Sequence, residues 1–176
     1  GEAWPEAGNA DEMADALALL GFATAAEVEG ASWTTLCKEL ARGGRAARYG
    51  ADVLPAPVWV ATERLPQLAA ALPGGSVDPP TTVPAEYARV HWDRDLALVE
   101  LLRGRLEGLG PVTAAALGTP LGLAASAVTA ALARLEGEGF ALQGRYTQSQ
   151  GDVEWCDRRL LARIHRQTVE RLRREI

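Results

Sequence analysis

The chain repeats itself, and the repeat restricts what it can fold into. Leu20-Gly-Phe-Ala-Thr-Ala-Ala-Glu-Val28 is answered by Leu109-Gly-Pro-Val-Thr-Ala-Ala-Ala-Leu117, an offset of 89 that makes Thr24 equivalent to Thr113. Further on, the stretch Leu36 to Arg45 parallels Ala131 to Phe140 at an offset of 95, and Trp59 to Leu65 parallels Trp155 to Leu161 at 96. The growth of the offset corresponds to one loop insertion. A period this long does not suit a solenoid. Within 176 residues it suits two tandem modules of one type.

Each module reads as helix, short helix, longer helix and two-stranded hairpin. The amphipathic runs Asp11 to Leu20 and Asp95 to Leu106 open the two copies. Thr24 and Thr113 stand before Ala-Ala pairs, where a hydroxyl can accept from the free amides of a first helical turn. In the second copy Val128, Ala131, Leu132 and Leu135 recur at helical spacing, and Gly137 to Gly139 end the helix. Phe140 to Tyr146 then reads as a strand, with its return at Asp152 to Trp155. In the first copy Ala46 to Tyr49 and Val58 to Ala61 flank a tip containing Pro55 and Pro57. The expected fold class is therefore mainly α with small β-hairpins (α+β), built as two tandem winged-helix modules of the helix-turn-helix type. Module one spans residues 1–72, module two spans 92–176, and the proline-rich stretch 73–91 is expected to be a linker or extended loop.

Charge singles out the last of these segments. From residue 141 onward there are eight arginines against five acids, whereas residues 1–140 carry ten basic against eighteen acidic groups. On a helical wheel at roughly 100° per residue, Arg159, Arg163, Arg166, Arg173 and Arg174 share an arc of about 100°. Leu160, Leu161, Ile164, Leu172 and Ile176 lie on other faces, so the sequence predicts an amphipathic helix with a buried apolar side and guanidinium groups held outward. Five arginines spread over four turns exceed what compensation of the helix dipole requires. The field of one basic end acts locally, over a Debye length of about 8 Å, so an overall acidic chain can still bind nucleic acid there.

Other classes are disfavoured. No apolar stretch approaches the roughly 18 residues of a membrane span, and the acidic first residues lack the basic and apolar regions of a secretory signal. A cytoplasmic location is expected, with no membrane partner. Cys37 and Cys156 lack CxxC spacing and are expected to be buried thiols.

The residues also carry a family resemblance. Arg103-Gly-Arg-Leu-Glu, Leu109-Gly-Pro-Val-Thr113, Glu138-Gly-Phe140, Gly144-Arg-Tyr146 and above all Glu154-Trp-Cys-Asp-Arg-Arg-Leu-Leu-Ala-Arg-Ile-His-Arg166 resemble the Lhr (large helicase-related) family of superfamily 2 DNA helicases. The similar region lies behind the two RecA-like motor domains, within the helicase core. The resemblance implies a bacterial, ATP-dependent helicase that translocates 3′ to 5′ on single-stranded DNA in DNA repair and also unwinds RNA:DNA hybrids. ATP and Mg would belong to the motor of the parent protein. This chain has no GxxxxGK[ST] loop around its one lysine, Lys38, and no Asp-Glu-x-His or Asp-Glu-x-Asp box, so it carries no cofactor site and no catalytic residue for ATP hydrolysis. Its expected partners are single-stranded or partly duplex DNA, or an RNA:DNA hybrid, together with the motor domains. Gln167 stands where the family would be expected to carry an aromatic.

The candidate DNA-binding residues are Trp92, Arg145, Arg159, Arg163, Arg166, Arg173 and Arg174. Single strands are held by arginines along phosphates and aromatic faces under bases. Lhr-type helicases imply a DNA-engaging tryptophan in this region, and Trp92, in Arg89-Val-His-Trp-Asp-Arg94, is the candidate for it. A hydrophobic staple is the competing role. Arg145 on the second wing, like Arg45 and Arg48 in module one, is placed to reach phosphate. Trp33, Trp59 and Trp155 are expected in the core, His165 in a structural role, and Asp157 as a helix cap. Two other functions compete: a scaffold that packs on the motor or another subunit, and an AlkZ-type DNA glycosylase suggested by Gln148-Ser-Gln150. A polar wing tip forms no pocket for a flipped base, which disfavours the glycosylase.

Overall fold

A computed structural model describes residues 3–147 and 151–176. The first copy of the repeat comprises helix α1 (Ala10–Leu20), a two-residue strand β1 (Ala23–Thr24), helices α2 (Ala25–Gly30) and α3 (Thr34–Arg42), strands β2 (Ala46–Gly50) and β3 (Val58–Ala61), and helix α4 (Leu65–Ala71). Strand β4 (Ser76–Asp78) and the short helix α5 (Ala85–Ala88) follow. The second copy runs through α6 (Arg94–Gly108), β5 (Val112–Thr113), α7 (Ala114–Gly118), α8 (Ala125–Gly137), β6 (Ala141–Gly144), β7 (Glu154–Asp157) and α9 (Arg158–Arg174). The result is an α+β fold with two antiparallel sheets, ordered β1-β3-β2-β4 and β5-β7-β6.

The repeat is structural as well as textual. Ala23 pairs with Trp59 in the first sheet, and Val112 pairs with Trp155 in the second, residues displaced by 89 and 96. Ala46 opposite Ala61 likewise becomes Ala141 opposite Asp157. Local chemistry repeats with it. Thr24 accepts from the Glu27 amide, and Glu27 accepts in return from the Thr24 amide, a reciprocal capping box. Thr113 caps α7 through the Ala116 amide. Asp157 accepts from the Arg159 amide at the start of α9, as expected.

Two expectations change. The proline-rich stretch 73–91 is more than a tether, because β4 completes the open edge of β2 with Tyr49 opposite Val77. An open strand edge presents unpaired amides and carbonyls, and even a segment without hydrophobic period can satisfy them. The second hairpin strand is also shorter than the sequence suggests, ending at Gly144.

The two copies share one core. Phe22, Tyr49, Leu54, Val58, Leu65, Leu68 and Leu72 from the first are buried with Leu101, Leu102, Leu106, Leu117, Leu132 and Trp155 from the second. Helix α6 is central: α1, α4 and α8 all pack on it. Gly104 permits the approach of α1, since a Cβ there would stand 2.5 Å from the Leu19 carbonyl oxygen. Trp33 and Trp59 fall in a second cluster under α1 and α3, and with Trp155 they are buried as expected. Cys37 and Cys156 are buried thiols, each pushed up to about 11 chiefly by burial, so neither forms a reactive thiolate near neutrality.

Candidate nucleic-acid interface

Helix α9 leaves the second sheet directly, since Asp157 is both the last residue of β7 and the N-cap. Seventeen residues follow without a proline or glycine, about 25 Å of helix. Packing against the body is confined to its first turns: Leu160 is buried, Leu161 half-buried, and Arg163, Arg166, Arg173 and Arg174 are exposed. The expected burial of the apolar side is therefore found only at Leu160 and in part at Leu161, for Ile164 is 39% exposed and Leu172 52%.

The arginines differ in how they are compensated. Arg159 lies over the Phe140 ring at 5.9 Å and reaches Glu107 at 3.7 Å and Asp157 at 3.8 Å, distances of loose pairing. Burial pushes the Glu107 carboxyl above its ordinary range, opposed by the Arg159 charge. Arg174 meets Glu170 at 3.8 Å with both side chains well exposed, a pairing worth little in water. Among the described residues Arg163, Arg166 and Arg173 form no ion pair. Two arginines of the first copy are answered by acids: Arg45 binds Asp11 at 2.8 Å, and Arg48 binds Asp78 at 3.3 Å while lying 5.6 Å from the centre of the Trp59 ring. Other cations among the described residues also lack an ion pair, Lys38 and Arg42 on α3 and Arg134 on α8 among them; α9 differs in carrying three on one exposed face.

Trp92 and Arg145 lie apart from that strip. Trp92 is half-buried against the shared core just before Asp93 caps α6, whereas Arg159 meets the other end of α6 through Glu107. A 15-residue helix separates them, about 22 Å. Arg145 sits past the tip end of β6 and donates from Nε to the Gly151 carbonyl at 3.1 Å, while α9 starts at the base of the hairpin. His165 is exposed and makes no hydrogen bond among the described residues, so its expected structural role is not found. Gln148-Ser-Gln150 lies outside the described residues.

No protein-family model matches the chain, and no curated protein matches it. The described residues contain no group of three or more His, Cys, Asp or Glu side chains that could hold a metal ion. Among the described residues no single helix is long and apolar enough to cross a membrane.

Two residues that the sequence offers only as members of family-like motifs organise this region. Glu154 folds the second hairpin inward, accepting from the amides of Tyr146 and Thr147 at 2.9 Å each and from the Thr147 hydroxyl at 2.6 Å. These bonds hold its carboxyl below the ordinary range, the Thr147 hydroxyl contributing most. A carboxyl depressed on folding stabilises the hairpin above its unfolded pKa, and the contribution fades as pH falls through the folded value. Amide exchange of residues 145–147 is therefore expected to be slower than in Glu154→Gln at pH 7, with the difference vanishing in acid; an equal difference at both pH values would refute the role. The second is Arg103, which binds Glu100 at 2.9 Å and Glu138 at 2.6 Å and lies over Phe140, so its charge is compensated by two acids.

Proposed function

We infer that residues 1–176 form two winged-helix modules serving as the DNA-binding accessory region of an Lhr-type, ATP-dependent 3′ to 5′ helicase. The observation that carries this reading is the strip Arg163, Arg166 and Arg173, flanked by Arg159 and Arg174, on an exposed helix without acidic partners for its three central guanidinium groups. Three open charges on one exposed helix face suit a phosphate backbone, which arginine meets with a planar fork of donors. Single-stranded DNA in repair, or the DNA strand of an RNA:DNA hybrid, would run along α9 while the motor supplies movement. The sequence motifs shared with the family supply the helicase context.

Titration of the chain with a fluorescent oligothymidylate at several salt concentrations tests the reading. Three or four phosphate contacts predict a log affinity that falls against log salt with a slope of about −2 to −3. Replacing Arg163, Arg166 and Arg173 together by Ala should weaken binding at low salt by at least about tenfold and flatten the slope by about 2. Absence of binding at low salt, or an unchanged slope in the triple variant, would overturn the proposal in favour of a scaffold.

A further inference from the structure

The repeat gives α9 a second face with a counterpart in the first copy. Carrying the offset of 96 onward, Leu65, Leu68, Ala71 and Leu72 correspond to Leu161, Ile164, Gln167 and Thr168. The preceding turn, at the offset of 89, relates Leu20-Gly21 to Leu109-Gly110. In the first copy these two features make a seat, and α6 occupies it: α4 packs on α6, and a Cβ on Gly21 would stand 2.8 Å from Leu101 Cδ1. In the second copy the corresponding place is open. A Cβ on Gly110 would meet nothing within 4 Å. A cleft of about 630 Å³ lies there instead, bounded by Trp4, Leu109, Leu160, Ile164, Gln167 and Arg171.

We propose that this cleft is a helix seat, and that its occupant is the leading helix of a further module of the same kind, not contained in residues 1–176. The seat differs from its filled counterpart in one way that bears on the occupant. Ala71 and Leu72 are replaced by Gln167 and Thr168, and the longer α9 adds Arg171 to the cleft wall, whose partner Glu175 is 3.5 Å away with both side chains exposed. The occupant therefore pairs a leucine stripe, as α6 does, with a carboxylate placed against Arg171. On the helical wheel the α9 residues that line the cleft span about 180° to 280° from Arg158 and the arginine strip about 60° to 160°, so the two surfaces are neighbours without overlap. Helix docking and nucleic-acid binding can occur together, and this inference does not depend on the DNA-binding one.

A lactam-stapled, fluorescein-labelled peptide with the sequence of residues 94–108, which contains the leucines and the acids Asp95, Glu100 and Glu107, serves as the probe. Stapling removes the ordering cost that keeps isolated short helices unfolded. It is expected to bind with a Kd below about 100 μM, to alter Trp4 fluorescence, and to lose at least tenfold in affinity to Ile164→Glu. Leu172→Glu, on α9 but outside the cleft, should bind like the parent, as should Arg163→Ala. The proposal falls if the peptide does not bind, if Ile164→Glu binds it unchanged, or if sedimentation shows the chain self-associating through this face, which would assign the seat to a second copy.

Discussion

Arg105→Ala is expected to lower the stability of the chain by about 3 kcal/mol, a drop in Tm of about 9 °C for a domain of this size. The side chain is 4% exposed and reaches from α6 into the first copy, where Nη2 donates to Glu27 Oε2 at 2.7 Å and Nη1 to the Phe22 carbonyl at 3.1 Å. Its guanidinium plane lies 4.4 Å from the centre of the Phe22 ring and 5.9 Å from that of Trp4. Truncation leaves the Phe22 carbonyl without its donor and the Glu27 carboxylate without its cation; the latter keeps some access to water, which sets the effect at the lower end of the range for broken buried pairs. Arg105→Lys would keep the charge and lose the fork, and should fall between the two. Thermal melts of the three chains decide the matter. A lysine variant as unstable as the alanine variant would show that the planar geometry carries the effect, whereas an alanine variant as stable as the parent would refute the role.

The consequence is functional as well as structural. Glu27 also closes the capping box of α2 through the Thr24 amide, so one carboxylate links the repeat's local signature to the junction between copies. Arg105 therefore helps to fix the orientation of the second copy, and with it the direction in which α9 leaves the body. Loss of Arg105 should weaken any interaction that spans both copies more than one confined to α9.

Much of this arrangement was legible because the repeat carries its own register. Thr24 and Thr113 announce helix starts by side-chain chemistry, and two tryptophans at equivalent strand positions, Trp59 and Trp155, mark equivalent pairings. Strand β4 was not legible, since Ser76-Val-Asp78 has no alternation to read and forms because β2 has a free edge to offer. Arg105 was equally hidden. An arginine in an amphipathic helix looks like a surface residue, and only the tertiary placement of Glu27, 78 positions earlier, makes it internal. For α9 the wheel located the arginines and the apolar residues correctly, yet periodicity records which residues share a face and says nothing of what that face touches. Ile164 and Leu172 were expected in a core and stand exposed.

Gly122→Ala should be as damaging as loss of Arg105, and through a different contact. Gly122 follows the 3-10 turn Thr119–Leu121 with φ 65°, in the left-handed region, where a side chain costs about 1 to 2 kcal/mol. A Cβ there would also stand 1.8 Å from the Val53 carbonyl oxygen, in the turn between β2 and β3, and relief of such overpacking costs about another 1 to 3 kcal/mol. The hairpin tip of the first copy thus rests on the second copy, and Arg48 behind it is held by Asp78. A hairpin engaged in this way is occupied structurally at its tip. The variant should show a lower Tm and faster amide exchange at residues 52–54, as the tip is pushed off its support. Gly137→Ala, in α8 with nothing within 4 Å of its added Cβ, should instead be neutral or gain about 0.5 kcal/mol. If the two variants melt together, the hairpin tip does not bear on Gly122, and the first copy's hairpin is free to bind nucleic acid after all.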